Sequence, residues 1–81
     1  MSSASEIFEF FSTFLKENYE INHLEMSTNF KKELGLTSFD FVNLICVIEE
    51  KYNVELEEEK YRRISTIEEL VEYVEERIER E

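Results

Sequence analysis

Ser38 lies three residues after Gly35, in Leu34-Gly35-Leu36-Thr37-Ser38-Phe39-Asp40-Phe41-Val42, at the mouth of an apolar run. Its side chain is a primary hydroxyl, which can serve as the attachment point of a phosphate-linked group. Gly35 is the one glycine of the chain. Glycine takes φ > 0 at no steric cost, which suits a sharp reversal just before a helix. A helix opening at Thr37 or Ser38 leaves its first backbone N–H groups without intrahelical acceptors. Those donors, with the positive end of the helix dipole, favour an anion at that place. Two readings follow. Ser38 is a helix cap, the tether of a covalent phosphate-linked group, or both at once.

Other chemistries find less support. His23 is the single histidine, with no Cys-x-x-Cys or second His beside it, so no metal site is expected. A Ser-His-acid arrangement would need His23 to reach Ser38 from a loop, where a lone histidine is more simply solvated. Asp40 is the one aspartate, which excludes an EF-hand loop. Cys46 has no cation within a helical turn, so it reads as a helix-face residue and not a nucleophile. As the lone cysteine it forms no internal disulfide, which suits a reducing cytoplasm.

Twenty acidic residues face nine Lys and Arg, for a net charge of −11. Such a surface repels nucleic acid and attracts basic partners. The apolar share of 42% is too high for simple disorder. No run approaches the ~20 apolar residues of a membrane span, and the N-terminus lacks the basic and long apolar regions of a secretory signal. The expectation is a cytoplasmic, monomeric chain forming a single domain over residues 1–81, with no nucleic-acid partner. The Glu-rich runs at 55–59 and 68–81 read as solvated faces.

The elements that position Ser38 follow from apolar spacing. A first helix is expected from near Ser3, with Glu6 closing a capping box, to Asn18 or Tyr19. Its stripe is Ile7, Phe11, Phe14 and Leu15, widened by Phe8 and Phe10. Residues 20 to 36 show no sustained period, so they form a long loop that Ile21, Leu24, Phe30 and Leu34 pin to the core. A short helical turn is expected at Asn29–Glu33. The second helix spans about Ser38–Tyr52 and ends at Asn53. A short third covers Glu58–Arg63, where Glu58–Arg62 and Glu59–Arg63 are favourable i,i+4 pairs. The fourth begins at Ser65 or Thr66, closed by Glu68 or Glu69, with the stripe Ile67, Leu70, Val71, Val74 and Ile78. The fold class is therefore all-α: a small four-helix bundle of three longer helices and one short third helix, with a long first loop.

At about 100° per residue, Phe41, Leu44, Ile45, Ile48 and Tyr52 share the inward face of the second helix. Phe39, Val42 and Cys46 make a separate apolar stripe on the same end as Ser38. That spare stripe either packs under the loop or is a docking face for partner proteins.

Taken together, Leu34-Gly35-Leu36-Thr37-Ser38-Phe39, Val42, Leu44, Glu49-Glu50, Tyr52, Val54-Glu55-Leu56, Ile64-Ser65-Thr66-Ile67 and Tyr73-Val74 resemble the acyl carrier protein family over nearly the whole chain. The resemblance implies a 4′-phosphopantetheine arm, moved from coenzyme A onto Ser38 by a phosphopantetheinyl transferase, with acyl groups carried as thioesters on its thiol. It implies a stand-alone carrier without catalysis of its own, serving fatty acid, polyketide or related synthesis. Partners would be acyl-transferring or synthase enzymes with basic docking patches, meeting Thr37, Phe39, Asp40, Val42, Asn43, Cys46, Glu49 and Glu50. The acyl pocket would be lined by Phe41, Leu44, Ile45, Ile48 and Ile64. An aminoacyl, D-alanyl or peptidyl carrier is a close variant. An unmodified acidic helical adaptor with a carrier-like fold is the alternative of a different class.

The chain departs from the family pattern in five places. Thr37 stands where Asp is usual, a residue that helps the transferase and its metal ion. Phe39 replaces Leu, Asn43 replaces a common Glu, and Leu56-Glu57-Glu58-Glu59 replaces Ile-Pro-Asp-Glu. Phe41 occupies a position that is small or polar in many relatives, so its ring is expected to narrow or reshape the pocket and favour short or unusual acyl groups.

Overall fold

The computed structural model describes residues 3–80; Met1, Ser2 and Glu81, the end of the acidic run, lie outside the described residues. Four helices follow in order: α1 (Ala4–Tyr19), α2 (Ser38–Tyr52), α3 (Glu58–Tyr61) and α4 (Ile67–Arg80). The described residues form no strand pairing beyond one isolated antiparallel bridge, Asn29 with Thr66. None of these helices is long and apolar enough to cross a membrane.

Each long helix begins where a short polar side chain can take up an orphan amide. Ser3 opens α1, its Oγ accepting from Glu6 N at 3.2 Å while Glu6 reaches back to the Ser3 backbone. Thr66 opens α4 the same way, its Oγ1 accepting from Glu69 N at 3.2 Å and Glu69 Oε1 accepting from Thr66 N at 3.0 Å. Left-handed residues end the first two helices: Glu20 (φ 58) after α1 and Asn53 (φ 54) after α2. Asparagine tolerates that region well. For Glu20 the backbone bonds of its own N–H to Lys16 O and of Ile21 N–H to Leu15 O, both 3.2 Å, fix the turn.

One core joins the elements. Ile7, Phe11 and Leu15 of α1, Leu44 and Ile48 of α2, and Ile67, Leu70, Val71 and Val74 of α4 are all fully buried, and α1 lies against α4. Ile78, at the end of the expected α4 stripe, is half-buried against the core. Tyr73 is also buried, because its hydroxyl accepts Glu57 N–H at 2.9 Å and so ties down the segment before α3. That segment is held a second time by Glu49 Oε2, which accepts Leu56 N–H at 2.8 Å.

The long first connection is anchored by its backbone. Thr28 O accepts Ile67 N–H at 2.9 Å and Met26 O accepts Glu68 N–H at 2.8 Å, so loop carbonyls satisfy two orphan amides at the start of α4. Phe30 N–H donates to Ser65 O at 3.0 Å. Asn29 then starts a single helical turn: its Oδ1 accepts Lys31 and Lys32 N–H, and its C=O accepts Glu33 N–H at 2.8 Å. The loop thereby sets Phe30 in the core and Lys31 at the surface.

Candidate functional site

α2 opens on a reciprocal pair. Thr37 Oγ1 accepts Asp40 N–H at 3.1 Å, and Asp40 Oδ2 accepts Thr37 N–H at 3.0 Å. Thr37 is therefore the cap, and Ser38 is the first residue inside the helix. The cap reading of Ser38 gives way: its hydroxyl has no structural task at the helix end, and the residue is exposed. Phe41 N–H donates to Thr37 O as the first intrahelical bond. The earliest amides of the helix, those of Ser38 and Phe39, come before any intrahelical acceptor can reach them. Gly35 sits upstream at φ +68, and that backbone turns the chain into the helix.

Beside Ser38 opens a surface cleft of about 460 Å³. Leu36, Thr37, Ser38, Phe41 and Val42 form its α2 side; Phe30 and Lys31 of the loop and Glu58, Tyr61 and Arg62 of the α3 region complete it. The aromatic rings make contact. Phe41 stacks on Phe30 with centroids 4.7 Å apart and planes 16° off parallel, and Tyr61 meets Phe41 edge-on at 5.8 Å. Two cations stand on the walls of an otherwise strongly acidic molecule. Lys31 Nζ donates to Arg62 O at 2.8 Å, bridging loop and α3. Arg62 lies 3.6 Å from Glu58, the expected i,i+4 pair, which is solvent-exposed and worth little to stability. Burial, then the charges of Glu58 and Glu49, push the Tyr61 phenol above its usual range against the opposing Arg62. An exposed hydroxyl, free helix-end amides and two cations around an open cleft form a set that can hold a phosphate-bearing chain.

The remaining expected site residues divide by burial. Phe39 is 82% exposed and Val42 46%, unusual for large apolar side chains, and Cys46 is exposed on the same stripe. The stripe therefore does not pack under the loop. Asn43 and Glu50 are exposed as well, and Asn43 Nδ2 lies 3.5 Å from Tyr19 Oη. Asp40 and Glu49 are half-buried and engaged by backbone amides. Of the five residues expected around an acyl chain, Phe41 lines the cleft, whereas Leu44, Ile45, Ile48 and Ile64 are buried in the core. Lys31, Glu58, Tyr61 and Arg62 were not legible as site residues. Lys31 lies in the stretch without a sustained period, and Glu58, Tyr61 and Arg62 lie in the expected third helix, where the Glu58–Arg62 pairing reads as helix support alone.

Residues 5–74 match the family described as the phosphopantetheine attachment site. The chain is 32% identical over 71 residues to the acyl carrier protein of Wolinella succinogenes, covering 85% of this chain and 93% of that one. It is 31% identical over 71 residues to that of Helicobacter pylori, covering 85% and 91%. With the acyl carrier protein of Guillardia theta it shares 29% identity over 75 residues, covering 90% and 93%. The chain belongs to the acyl carrier protein family. Its prosthetic group is accordingly 4′-phosphopantetheine, and its work is that of a carrier. The unmodified-adaptor reading is not favoured. A carrier of this kind meets modifying and synthase enzymes in turn, which fits a small acidic bundle presenting an exposed serine.

Proposed function

We propose that Ser38 Oγ is the attachment point of the 4′-phosphopantetheine arm and that the chain delivers acyl groups to biosynthetic enzymes from it. When bound, the arm supplies a terminal thiol on which acyl groups ride as thioesters. The observation that carries this reading is the division of labour at the head of α2: Thr37 caps the helix, leaving the Ser38 hydroxyl exposed beside the cleft. The residues suited to the phosphodiester are the amides at the helix start, with Lys31 and Arg62 on the cleft walls. Lys31 and Arg62 hold negative charge near the serine in a chain whose net charge of −11 would otherwise repel it.

The chain's own side chains also set how enzymes approach. Phe39 and Val42 give an apolar contact beside Ser38, and Cys46 continues it along α2. Glu50 and the surrounding acidic surface draw in enzymes with basic patches, a phosphopantetheinyl transferase first among them, over a screening length of about 10 Å at 0.1 M salt. Asp40 and Glu49 serve docking mainly by holding the backbone, since their carboxylates are engaged by Thr37 and Leu56 amides. Cytoplasmic residence and a monomeric state fit this role, because the carrier must visit several enzymes.

The test is incubation with coenzyme A and a broad-specificity transferase, followed by intact mass. The wild type gains one phosphopantetheine and Ser38→Ala gains none. A wild type that stays at its starting mass with several transferases would return the chain to the adaptor class.

A further inference from the structure

We propose that Phe41, packed against Phe30 and Tyr61, closes the path from the Ser38 cleft into the bundle, so that this carrier shelters short acyl groups and leaves the far end of long ones in solvent. The inference rests on Ser38 as the attachment point. On the inward face of α2, Phe41 is the residue nearest Ser38, and Leu44, Ile45 and Ile48 follow it along the helix. A chain entering from the serine therefore meets the Phe41 ring first. That ring is stacked on Phe30 at 4.7 Å, and Phe30 is itself only 2% exposed and held by the Phe30 N–H to Ser65 O bond. On its other side Tyr61 of α3 meets it edge-on at 5.8 Å. Loop, α2 and α3 thus each contribute one ring to the inner wall of the cleft.

Behind the wall no room is waiting. Leu44 and Ile48 are 0% exposed, Ile45 2% and Ile64 8%. Interiors packed at protein density yield space only when side chains move out. To reach those four residues an acyl chain must unstack Phe41 from Phe30, and each added methylene must first offset that loss. A short group meets no such demand. It can lie in the cleft against the exposed faces of Phe41, Tyr61, Leu36 and Val42.

The experiment compares wild type, Phe41→Ala, Phe41→Leu and Tyr61→Ala, each loaded by a transferase from acetyl-, butyryl-, octanoyl- and palmitoyl-coenzyme A. Two quantities are read: the shift of melting temperature relative to the unacylated holo form, since a sheltered cargo stabilises the fold that shelters it, and the rate of thioester cleavage by hydroxylamine. In the wild type both effects should level off after butyryl. In Phe41→Ala they should keep growing to octanoyl, with cleavage slowed several-fold relative to octanoyl wild type. Tyr61→Ala and Phe41→Leu should move in the same direction by less, and they carry the test if Phe41→Ala does not fold. Octanoyl wild type as stabilised and as protected as octanoyl Phe41→Ala would overturn the gate while leaving the attachment point standing. Proteins that load at a residue other than Ser38 would overturn both.

Discussion

Replacing Thr37 with alanine removes the acceptor for Asp40 N–H while leaving Asp40 Oδ2 bonded to the backbone of residue 37. The cap is solvent-exposed, so water can partly replace the lost oxygen, and the cost should sit in the middle of the usual range, about 1 kcal/mol. In a domain of this size that corresponds to a fall in melting temperature of about 4–8 °C. Thr37→Asp is the informative partner, because it restores the residue usual in the family. The new carboxylate keeps the acceptor and gains roughly 0.3–1 kcal/mol from the helix dipole. Against this stands repulsion from Asp40, about 1 kcal/mol for charges some 4 Å apart in water. The two effects nearly cancel, so Thr37→Asp should melt close to the wild type. Thermal unfolding by circular dichroism measures both, and hydrogen exchange at the Asp40 amide gives the local readout, faster in Thr37→Ala alone. A Thr37→Ala protein that melts with the wild type, or a Thr37→Asp protein that loses as much as Thr37→Ala, would refute this account of the helix start.

Three further outcomes are expected. An added Cβ at Gly35 meets nothing within 4 Å, so Gly35→Ala should lose only the conformational term of a positive φ, about 1 kcal/mol by urea denaturation, and Gly35→Asn less. Added NaCl should raise the melting temperature, since a net charge of −11 is screened over about 10 Å at 0.1 M salt, and a flat response would show that the acidic surface imposes little strain. Hydrogen bonds from Ser65 and Thr66 amides, helped by Lys31, hold Glu69 below the ordinary carboxylate range. Its contribution is therefore present above the unfolded pKa and lost as pH falls through the lower folded value, so the stability gap between wild type and Glu69→Gln should close in acid.

Local chemistry made most of the helices legible. The Ser3–Glu6 pair, the α2 span from Ser38 to Tyr52 with Asn53 beyond it, and the Thr66–Glu69 pair each depend on residues within a few positions of one another. The short α3 ends at Tyr61, before Arg63, because Ile64 must turn into the core. The long connection was legible only in part. Phe30 was expected in the core and a helical turn at Asn29, but the bonds that anchor the loop join Thr28 to Ile67 and Phe30 to Ser65. Contacts between residues so distant in sequence leave no periodic trace. The same holds for the cleft. Ser38 and Phe41 stood out on α2, whereas Lys31, Tyr61 and Arg62 enter it only because the loop and α3 fold against that helix. Leu44, Ile45, Ile48 and Ile64, which the resemblance sets around an acyl chain, are buried in the core, and apolar spacing reads the same for a packed core as for a wall that parts around cargo.

Proteolysis of the transferase-treated protein, with fragmentation of the peptide that runs through Leu36 to Asn43, locates the added group to a single residue. A single phosphopantetheine on the Ser38 oxygen is the predicted result. The group on Thr37, on Ser65 or on any other hydroxyl, with Ser38 unmodified, would contradict the assignment.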